Sequence, residues 1–221
     1  MATSLSLIEL IALGFELTGS YAGTRFDRAK PLTTLAKLNA CMLKLSGIHG
    51  RKKAVRALRY IQENSASPRE TALAMLLALP RRMGGYGIPR ATLNAPIRRT
   101  HIVAQRQNRN HHGTNPKRTF RCDLLWPDRK VAVEYDSDSF HTGAQSICRD
   151  AERRNELLSQ GIAVITITNG QIINAHALDE AVGRIVKLCR FRIRKRANEY
   201  LMKRYALRKT LLQSWSGTPI V

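Results

Sequence analysis

The sequence predicts a mixed α/β fold, and three observations support this prediction. Ser67 followed by Pro68 is a helix start signal, and the helix that it opens ends before Pro80. Segments with alternating or β-branched apolar residues then predict strands at 97–104, 118–126, 131–136 and 162–168. Between the third and fourth strands, an amphipathic helix is expected at 145–160, closed by a glycine. The predicted order after residue 65 is therefore helix, three strands, helix, strand.

Helical segments are expected on both sides of this core. The first 65 residues contain three short amphipathic segments, which form either a helix-turn-helix or winged-helix module or a plain helical cap. A last, strongly basic helix begins near Ala175 and runs towards Ala206. The β-branched run at 162–168 is typical of a strand buried on both faces. The chain thus divides into a helical N-terminal region at 1–65, a core at 66–175, and a basic C-terminal helix and tail at 176–221.

The charge of the chain indicates its partner. Lys and Arg number 37 against 16 Asp and Glu, which gives a net charge of +21. No acid occurs from Thr71 through Cys122, and one acid accompanies eleven basic residues between Arg184 and Lys209. Because a charge this large is usually neutralised by a polyanion, nucleic acid is the expected partner, with DNA favoured over RNA. An anionic membrane surface usually requires a basic amphipathic helix with aromatic or leucine anchors, so no membrane partner is expected.

Cysteine usage and the N-terminus indicate the compartment. The four cysteines are far apart and form no CxxC pair, so we expect small buried residues in a reducing compartment rather than disulfides or a zinc site. The apolar stretch from Leu5 to Leu13 is too short to span a bilayer and has no basic residues before it. We therefore expect a cytoplasmic protein, associated with the nucleoid of a bacterial-type cell.

Two acids stand out because each lies inside an apolar strand segment. Asp123 and Glu134 occupy neighbouring segments, which a tight turn at Pro127-Asp128 joins into a hairpin. Counting from that turn, the two carboxylates face each other across the hairpin, about 5 Å apart. Carboxylates so close repel unless a cation lies between them, which favours a hard divalent ion. The alternative is that both acids pair with arginines in a structural network.

The spacing of these acids, with Glu70 on the preceding helix, resembles the PD-(D/E)XK restriction-endonuclease-like superfamily. Within it, the most similar branch contains the very short patch repair endonucleases and related short bacterial proteins. The likeness covers residues 67–170, and the core it implies consists of helix, three strands, helix and strand. The residues that carry it are Arg121–Pro127, Val131–Asp136, Phe140-His141, Asp150–Leu158 and Gly161–Ile165.

The resemblance implies a metal centre with named ligands. Asp123 and Glu134 become the metal ligands, and the backbone carbonyl of Tyr135 is a third. Glu70 matches an acid on the first helix that contacts the metal directly or through water, although an acid near a helix N-terminus also serves the helix dipole. The expected cofactor is Mg²⁺, with Mn²⁺ as the alternative ion.

Position 136 departs from the family pattern. The family has a lysine two residues after the glutamate, where this chain has Asp136. In the repair-endonuclease branch a downstream histidine helps with proton transfer, and His141 lies at about the matching spacing. An imidazole is suited to that role at neutral pH, while a histidine on a surface loop is the alternative. The catalytic residues implied are Glu70, Asp123, Glu134 and His141.

Basic side chains are expected to hold the nucleic-acid backbone. Arg153 lies on the second amphipathic helix, where its guanidinium would clamp the scissile phosphate or belong to a solvated helix face. The loop at 105–121 and the C-terminal helix would supply further phosphate contacts, which position a substrate without reading its sequence. The predicted nucleic-acid-binding residues are Arg106, Arg109, Lys117, Arg118, Arg149, Arg153, Arg192, Arg194, Lys195 and Arg196.

Two classes of function follow. The first is a Mg²⁺-dependent endonuclease that hydrolyses phosphodiester bonds of DNA. The second is a nuclease fold without turnover, which binds nucleic acid as a regulator or as a subunit of a defence or mobile-element complex. The absence of the family lysine favours the second class. Both classes leave a homodimer or a protein partner open, since double-strand cleavage usually requires a dimer.

Overall fold

The structure, a computed structural model, describes residues 2–21, 30–98, 119–136, 153–193 and 199–213. Its helices are Leu7–Thr18 (α1), Leu35–Lys44 (α2), Arg51–Leu58 (α3), Pro68–Ala78 (α4), 153–159 (α5), Asn169–Ile173 (α6), Ala175–Cys189 (α7) and Glu199–Gln213 (α8). Its strands are Thr92–Arg98 (β1), Thr119–Trp126 (β2), Val131–Asp136 (β3) and Ala163–Thr168 (β4). The mixed α/β class is confirmed, and the elements after residue 65 follow the predicted order. The restriction-endonuclease-like identity of the core stays a prediction.

The four strands form one mixed sheet in the order β1-β2-β3-β4. β1 with β2 and β2 with β3 are antiparallel, whereas β3 and β4 are parallel. The hairpin between β2 and β3 turns through a short 3-10 segment at Pro127–Arg129, after which Lys130 has a φ of 52°. The predicted hairpin is therefore confirmed. The parallel pair needs a crossover connection, and α5 lies within it.

The main hydrophobic core joins the sheet to helices from both ends of the chain. α4 is at its centre, with the whole stretch 70–77 buried. Ile11 and Phe15 of α1 belong to the same core as Val133 of β3 and Ile185 of α7. The N-terminal helices are therefore packed onto the core, because their apolar faces would otherwise remain in water.

The loop after α4 packs against α8. A side-chain Cβ on Gly84 would lie only 2.3 Å from a backbone oxygen of α8, so this close approach requires glycine. Arg204 of α8 is buried, and its guanidinium donates a hydrogen bond of 3.0 Å to Asp179 and lies 4.1 Å from the centre of the Tyr86 ring. Leu207 and Leu211 of α8 are buried in the main core, and Leu212 packs against it.

The predicted first strand is wrong at its N-terminal boundary. β1 begins at Thr92, five residues before the predicted start at 97. Pro96 argues against a central strand because it cannot donate to the backbone ladder. Among the described strands, however, β1 pairs with β2 alone, and a strand at the edge of a sheet accommodates a proline.

Two further predictions are wrong in the C-terminal half. β4 is not buried on both faces: among the described strands it also lies at the edge of the sheet, and only its residues Ile165 and Ile167 are buried. The basic segment after residue 175 is not one helix. α7 ends where Arg190 adopts a left-handed conformation with φ of 52°, and α8 begins at Glu199. The helix therefore ends at Arg190, and the separate helix α8 packs against α1 and α4.

Within the described ranges, no helix is long and apolar enough to cross a membrane.

The expectation of buried cysteines has a mixed outcome. Cys122 and Cys189 are free and buried as expected, but Cys41 is exposed on α2, where no residue is fully buried. The expectation of a buried cysteine is therefore wrong at position 41.

Candidate metal centre

Asp123 and Glu134 lie at the same level of the β2–β3 hairpin. The last backbone pair of the hairpin is Leu124 with Val133, and the next step of that register joins Asp123 to Glu134. Regular pairing stops at this step. Instead, the backbone N–H of Tyr135 donates a hydrogen bond of 2.8 Å to Oδ2 of Asp123. A carboxylate therefore accepts a β3 amide bond at the point where the two strands cease to pair.

The strands beside this point interrupt their normal alternation of faces. Leu93 of β1 packs in the main core, whereas Ala95 packs in a smaller cluster with Leu157 of α5. Residues two apart in a regular strand share a face, so the strand changes faces at Asn94, which has a φ of 47°. β2 makes the same change at Asp123. Such local irregularities in a sheet re-aim side chains and are common beside active sites.

The carboxyl group of Asp123 is partly buried near two other acids. Burial raises its pKa to about 7, and the negative charges of Glu70 and Glu134 add to this increase. The Tyr135 amide and the charge of Arg153 act in the opposite direction but do not compensate. The carboxyl groups of Glu70 on α4 and Glu134 on β3 are therefore close enough to oppose the ionisation of Asp123 on β2.

Glu70 is held in place by three donors. Its carboxylate accepts hydrogen bonds from the amide of Ala66 (3.0 Å), the hydroxyl of Ser67 (3.0 Å) and the side-chain amide of Asn94 (2.8 Å). Ser67 in turn caps α4 by accepting a bond from the Glu70 amide. Glu70 therefore has the helix-terminus role considered as its alternative, and it also lies near enough to Asp123 to influence that group's ionisation.

Glu134 has one satisfied and one unsatisfied carboxylate oxygen. Oε2 accepts a bond of 2.5 Å from the Arg153 guanidinium, which also donates to the backbone oxygen of Arg121. The Cys122 thiol interacts with the same carboxylate, but a thiol is a weak donor. Oε1 is buried and makes no normal hydrogen bond with any residue that the structure describes. Burial raises the pKa of Glu134, and Arg153 partly offsets this effect.

These observations test whether the residues suit a metal ion. Within the described part of the chain, no three His, Cys, Asp or Glu side chains are arranged as a metal-binding group. Mg²⁺, however, is commonly held by one or two carboxylates, with water and phosphate completing its shell. The mutual repulsion at Asp123 and the unsatisfied Oε1 of Glu134 suit such a two-carboxylate site. Glu70 fits a ligand role less well, because three donors already hold its carboxylate.

The structure brings together four of the predicted site residues: Glu70, Asp123, Glu134 and Arg153. Arg192 is exposed after α7, and Asp136 is exposed at the end of β3, opposite Thr168 of β4. The other predicted site residues lie outside the described part of the chain, and they are His141, Arg106, Arg109, Lys117, Arg118, Arg149, Arg194, Lys195 and Arg196.

Asn94 is a site residue that sequence reasoning missed. It is buried, and its side-chain amide donates both to Glu70 and to the backbone oxygen of Asn64, 2.8 Å away in each case. A signal was present, because Asn94 is a lone polar residue between Leu93 and Ala95. Asparagine is also among the few residues that tolerate a left-handed backbone.

A shallow cleft of about 160 Å³ opens beside Glu134 and Arg153. It is formed by α5, β3 and β4, and Asp136 lies at its edge. Its lining residues are Glu134, Tyr135, Asp136, Arg153, Arg154, Leu157, Val164 and Thr166. The candidate metal centre is therefore reached from the α5 side of the sheet.

Comparison with known protein families, curated proteins and solved structures finds no match to this chain.

Proposed function

We propose that the protein is a metal-dependent endonuclease that hydrolyses phosphodiester bonds, with DNA as its expected substrate. The observation that carries the proposal is the pair Asp123 and Glu134, two partly buried carboxyl groups whose pKa values are raised where the β2–β3 hairpin stops pairing. A chain with a net charge of +21 has ample arginine to neutralise buried acids, yet Oε1 of Glu134 makes no hydrogen bond among the described residues. A cation would remove both the repulsion and the unsatisfied oxygen.

Asp123 and Glu134 would hold the ion, together with the backbone carbonyl of Tyr135. Mg²⁺ in such a site supplies Lewis-acid stabilisation of a phosphoryl oxygen and a more acidic bound water. Asn94 would act indirectly. It holds the Glu70 carboxylate in place, and the negative charge of Glu70 raises the pKa of Asp123. The likeness to PD-(D/E)XK nucleases is part of the proposal.

Arg153 is suited to contact the substrate. One nitrogen of its guanidinium is bonded to Glu134 and to a β2 carbonyl, while Nε is buried and makes no hydrogen bond with the described residues. A guanidinium binds a phosphate through two parallel N–H donors, so Arg153 would clamp the scissile phosphate at the cleft. His141 completes the proposal as the group that transfers a proton.

Plasmid cleavage tests the proposal. Supercoiled DNA is incubated with Mg²⁺ and the wild-type chain, Asp123→Asn or Glu134→Gln, and Asp128→Asn is the matched control because it removes an exposed acid from the turn of the same hairpin. We expect the first two substitutions to reduce the cleavage rate by about 100-fold or more and the control to leave it unchanged. Equal cleavage by all four proteins would contradict the assignment.

A second function is favoured by the Arg153–Glu134 ion pair. In this pair Arg153 neutralises Glu134 without a metal ion. Position 136 is also an aspartate where the family has a lysine. Both features are expected of a nuclease fold that has lost turnover. In this case the protein binds nucleic acid as a regulator or as a subunit of a larger complex. It would retain salt-sensitive binding after Asp123→Asn and would cleave nothing with Mg²⁺ or Mn²⁺.

A further inference from the structure

Three exposed arginines meet on the surface beside α3, and we call Arg59, Arg82 and Arg90 the arginine patch. Arg59 directly follows α3, and the other two arginines belong to the loop after α4. The guanidinium of Arg90 donates to the backbone oxygen of Arg59, and that of Arg82 donates to the hydroxyl of Tyr60 at 3.0 Å. Arg82 and Arg90, which belong to one loop, therefore donate hydrogen bonds to two consecutive residues at the end of α3.

The loop that carries Arg82 and Arg90 is held rigidly. Tyr86 and Ile88 are buried in it, and their amides donate to backbone oxygens of α4, at 2.8 Å and 2.9 Å. Gly85 approaches Leu79 so closely that a Cβ would lie 1.9 Å from its carbonyl oxygen. The backbone that carries Arg82 and Arg90 is therefore held in place before any partner binds, which reduces the entropy lost on binding.

The acids of this half of the chain do not neutralise the patch. Between residues 28 and 122 the sequence has 20 Lys and Arg but only two acids, Glu63 and Glu70. Glu63 accepts a bond of 2.6 Å from the amide of Leu35, and Glu70 is held within the candidate metal centre. Arg59, Arg82 and Arg90 take part in no ion pair between described residues. The guanidinium groups of Arg82 and Arg90 instead bond to neutral oxygens.

The patch is linked to the candidate metal centre by a short path. Asn64, five residues after Arg59, accepts a bond from Asn94, and Asn94 also bonds Glu70. Arg90 lies two residues before β1, which pairs with β2 alone among the described strands. Hydrogen bonds through Asn94 therefore connect the segment that follows Arg59 to Glu70 of the centre.

We infer that the arginine patch binds the phosphate backbone of nucleic acid away from the cleavage point. This inference rests on the proposed function and specifies the extent of its substrate: a nucleic-acid backbone long enough to contact the arginine patch as well as the metal centre. Guanidinium groups with unused donors and no carboxylate partner suit phosphate oxygens, and such contacts position a substrate without reading its bases.

A salt series tests the inference without requiring cleavage. A fluorescein-labelled 30-base-pair duplex is titrated in EDTA with the full chain and with the double variant Arg82→Gln/Arg90→Gln. The matched control is Lys44→Gln/Lys52→Gln, which removes two exposed charges near the other end of α3. Each lost phosphate contact reduces the slope of log affinity against log salt by about 0.9. We expect a reduction of about 1.8 for the patch variant, about tenfold weaker binding at moderate salt, and little change for the control.

The outcomes separate the two proposals. If the patch variant has the same slope as the control, or if the full chain binds no duplex, the inference is overturned even where cleavage is normal. If the slope falls as expected but no protein cleaves DNA, the proposed function fails and the binding surface stands. The variant Arg82→Lys/Arg90→Lys, which keeps both charges, should retain the wild-type slope, and this separates lost charge from lost folding.

Discussion

The backbone amide of Tyr135 donates its hydrogen bond to the carboxylate of Asp123 rather than to a carbonyl of β2. This bond occupies one oxygen of Asp123, and no described residue donates to the other. The acid thus serves two purposes, since it replaces one strand-to-strand bond and retains an oxygen for a further ligand. The arrangement requires a charged group in a buried position, and this has consequences for stability that can be measured.

Asp123→Asn should stabilise the protein in the absence of divalent metal. The pKa of Asp123 is raised from 3.8 to about 7, so below pH 3.8 the folded and unfolded states are both protonated and the group has no effect. As the pH rises towards 7, the unfolded chain ionises first and stability is lost. At pH 8 in EDTA we expect the free energy of unfolding of the variant to exceed that of the wild type by roughly 1–3 kcal/mol. Urea denaturation measures the difference.

The same comparison at pH 4 serves as the control, because there the two proteins should agree closely. A variant that is less stable than the wild type at pH 8 would show that the carboxylate is already neutralised by groups of the chain itself.

Mg²⁺ binding should strengthen as the pH rises through about 7. A metal ion binds the ionised carboxylates, and burial together with neighbouring acids keeps Asp123 protonated below that value. Each pH unit below the pKa should weaken the binding of Mg²⁺ by about tenfold. Calorimetric titration at pH 6 and pH 8 measures this ratio, and Glu134→Gln should abolish binding at both values. An affinity that is equal at the two pH values would argue against Asp123 as a ligand.

Removing Arg153 should destabilise the metal-free protein more than the metal-bound one. Its loss leaves Glu134 buried without its partner, and a fully buried broken ion pair typically costs about 3–5 kcal/mol. The Arg153 side chain is 32% exposed, so we expect about 1–2 kcal/mol for Arg153→Met in EDTA. Added Mg²⁺ should recover part of this loss by neutralising Glu134. Thermal melts with and without Mg²⁺ provide the comparison, and an equal loss in both would indicate a purely structural ion pair.

The position of this pair shows how far the sequence could predict the site. Asp123 and Glu134 were found because an acid in an apolar strand is conspicuous, and a short turn fixes the register of a hairpin. The ion pair of Arg153 with Glu134 could be expected only as one of two alternatives, since many arginines compete for few acids. Which arginine reaches which acid depends on how α5 packs on the sheet, and residue spacing does not encode that packing.

Asn94 gives a prediction in which backbone and side-chain effects can be separated. Asn94→Ala removes two hydrogen bonds and also places a Cβ-bearing residue without a polar side chain at a φ of 47°. Asn94→Gly removes the same bonds without that strain. We expect both variants to be less stable than the wild type by about 1–3 kcal/mol, and the alanine variant to be the worse by about 1 kcal/mol. Chemical denaturation of the three proteins would reveal the order, and equal stability of the two variants would exclude strain at this position.

β1 itself was misplaced because its strongest sequence signals contradict one another. Asn94 and Pro96 are both residues that weaken a strand, and only the position of β1 at the edge of the sheet makes them acceptable. The arginine patch was equally hidden. Arg59 and Arg90 are 31 residues apart, and they meet only because the loop after α4 folds back onto α3. Tertiary packing decided both features.

The packing of α8 determines when the main core can close during synthesis of the chain. Leu211 closes a core that also contains residues of α1, α4 and the sheet, and Arg204 joins α8 to α7. A ribosome must therefore complete more than 200 residues before this core can close. Until then the candidate metal centre is supported by an incomplete core.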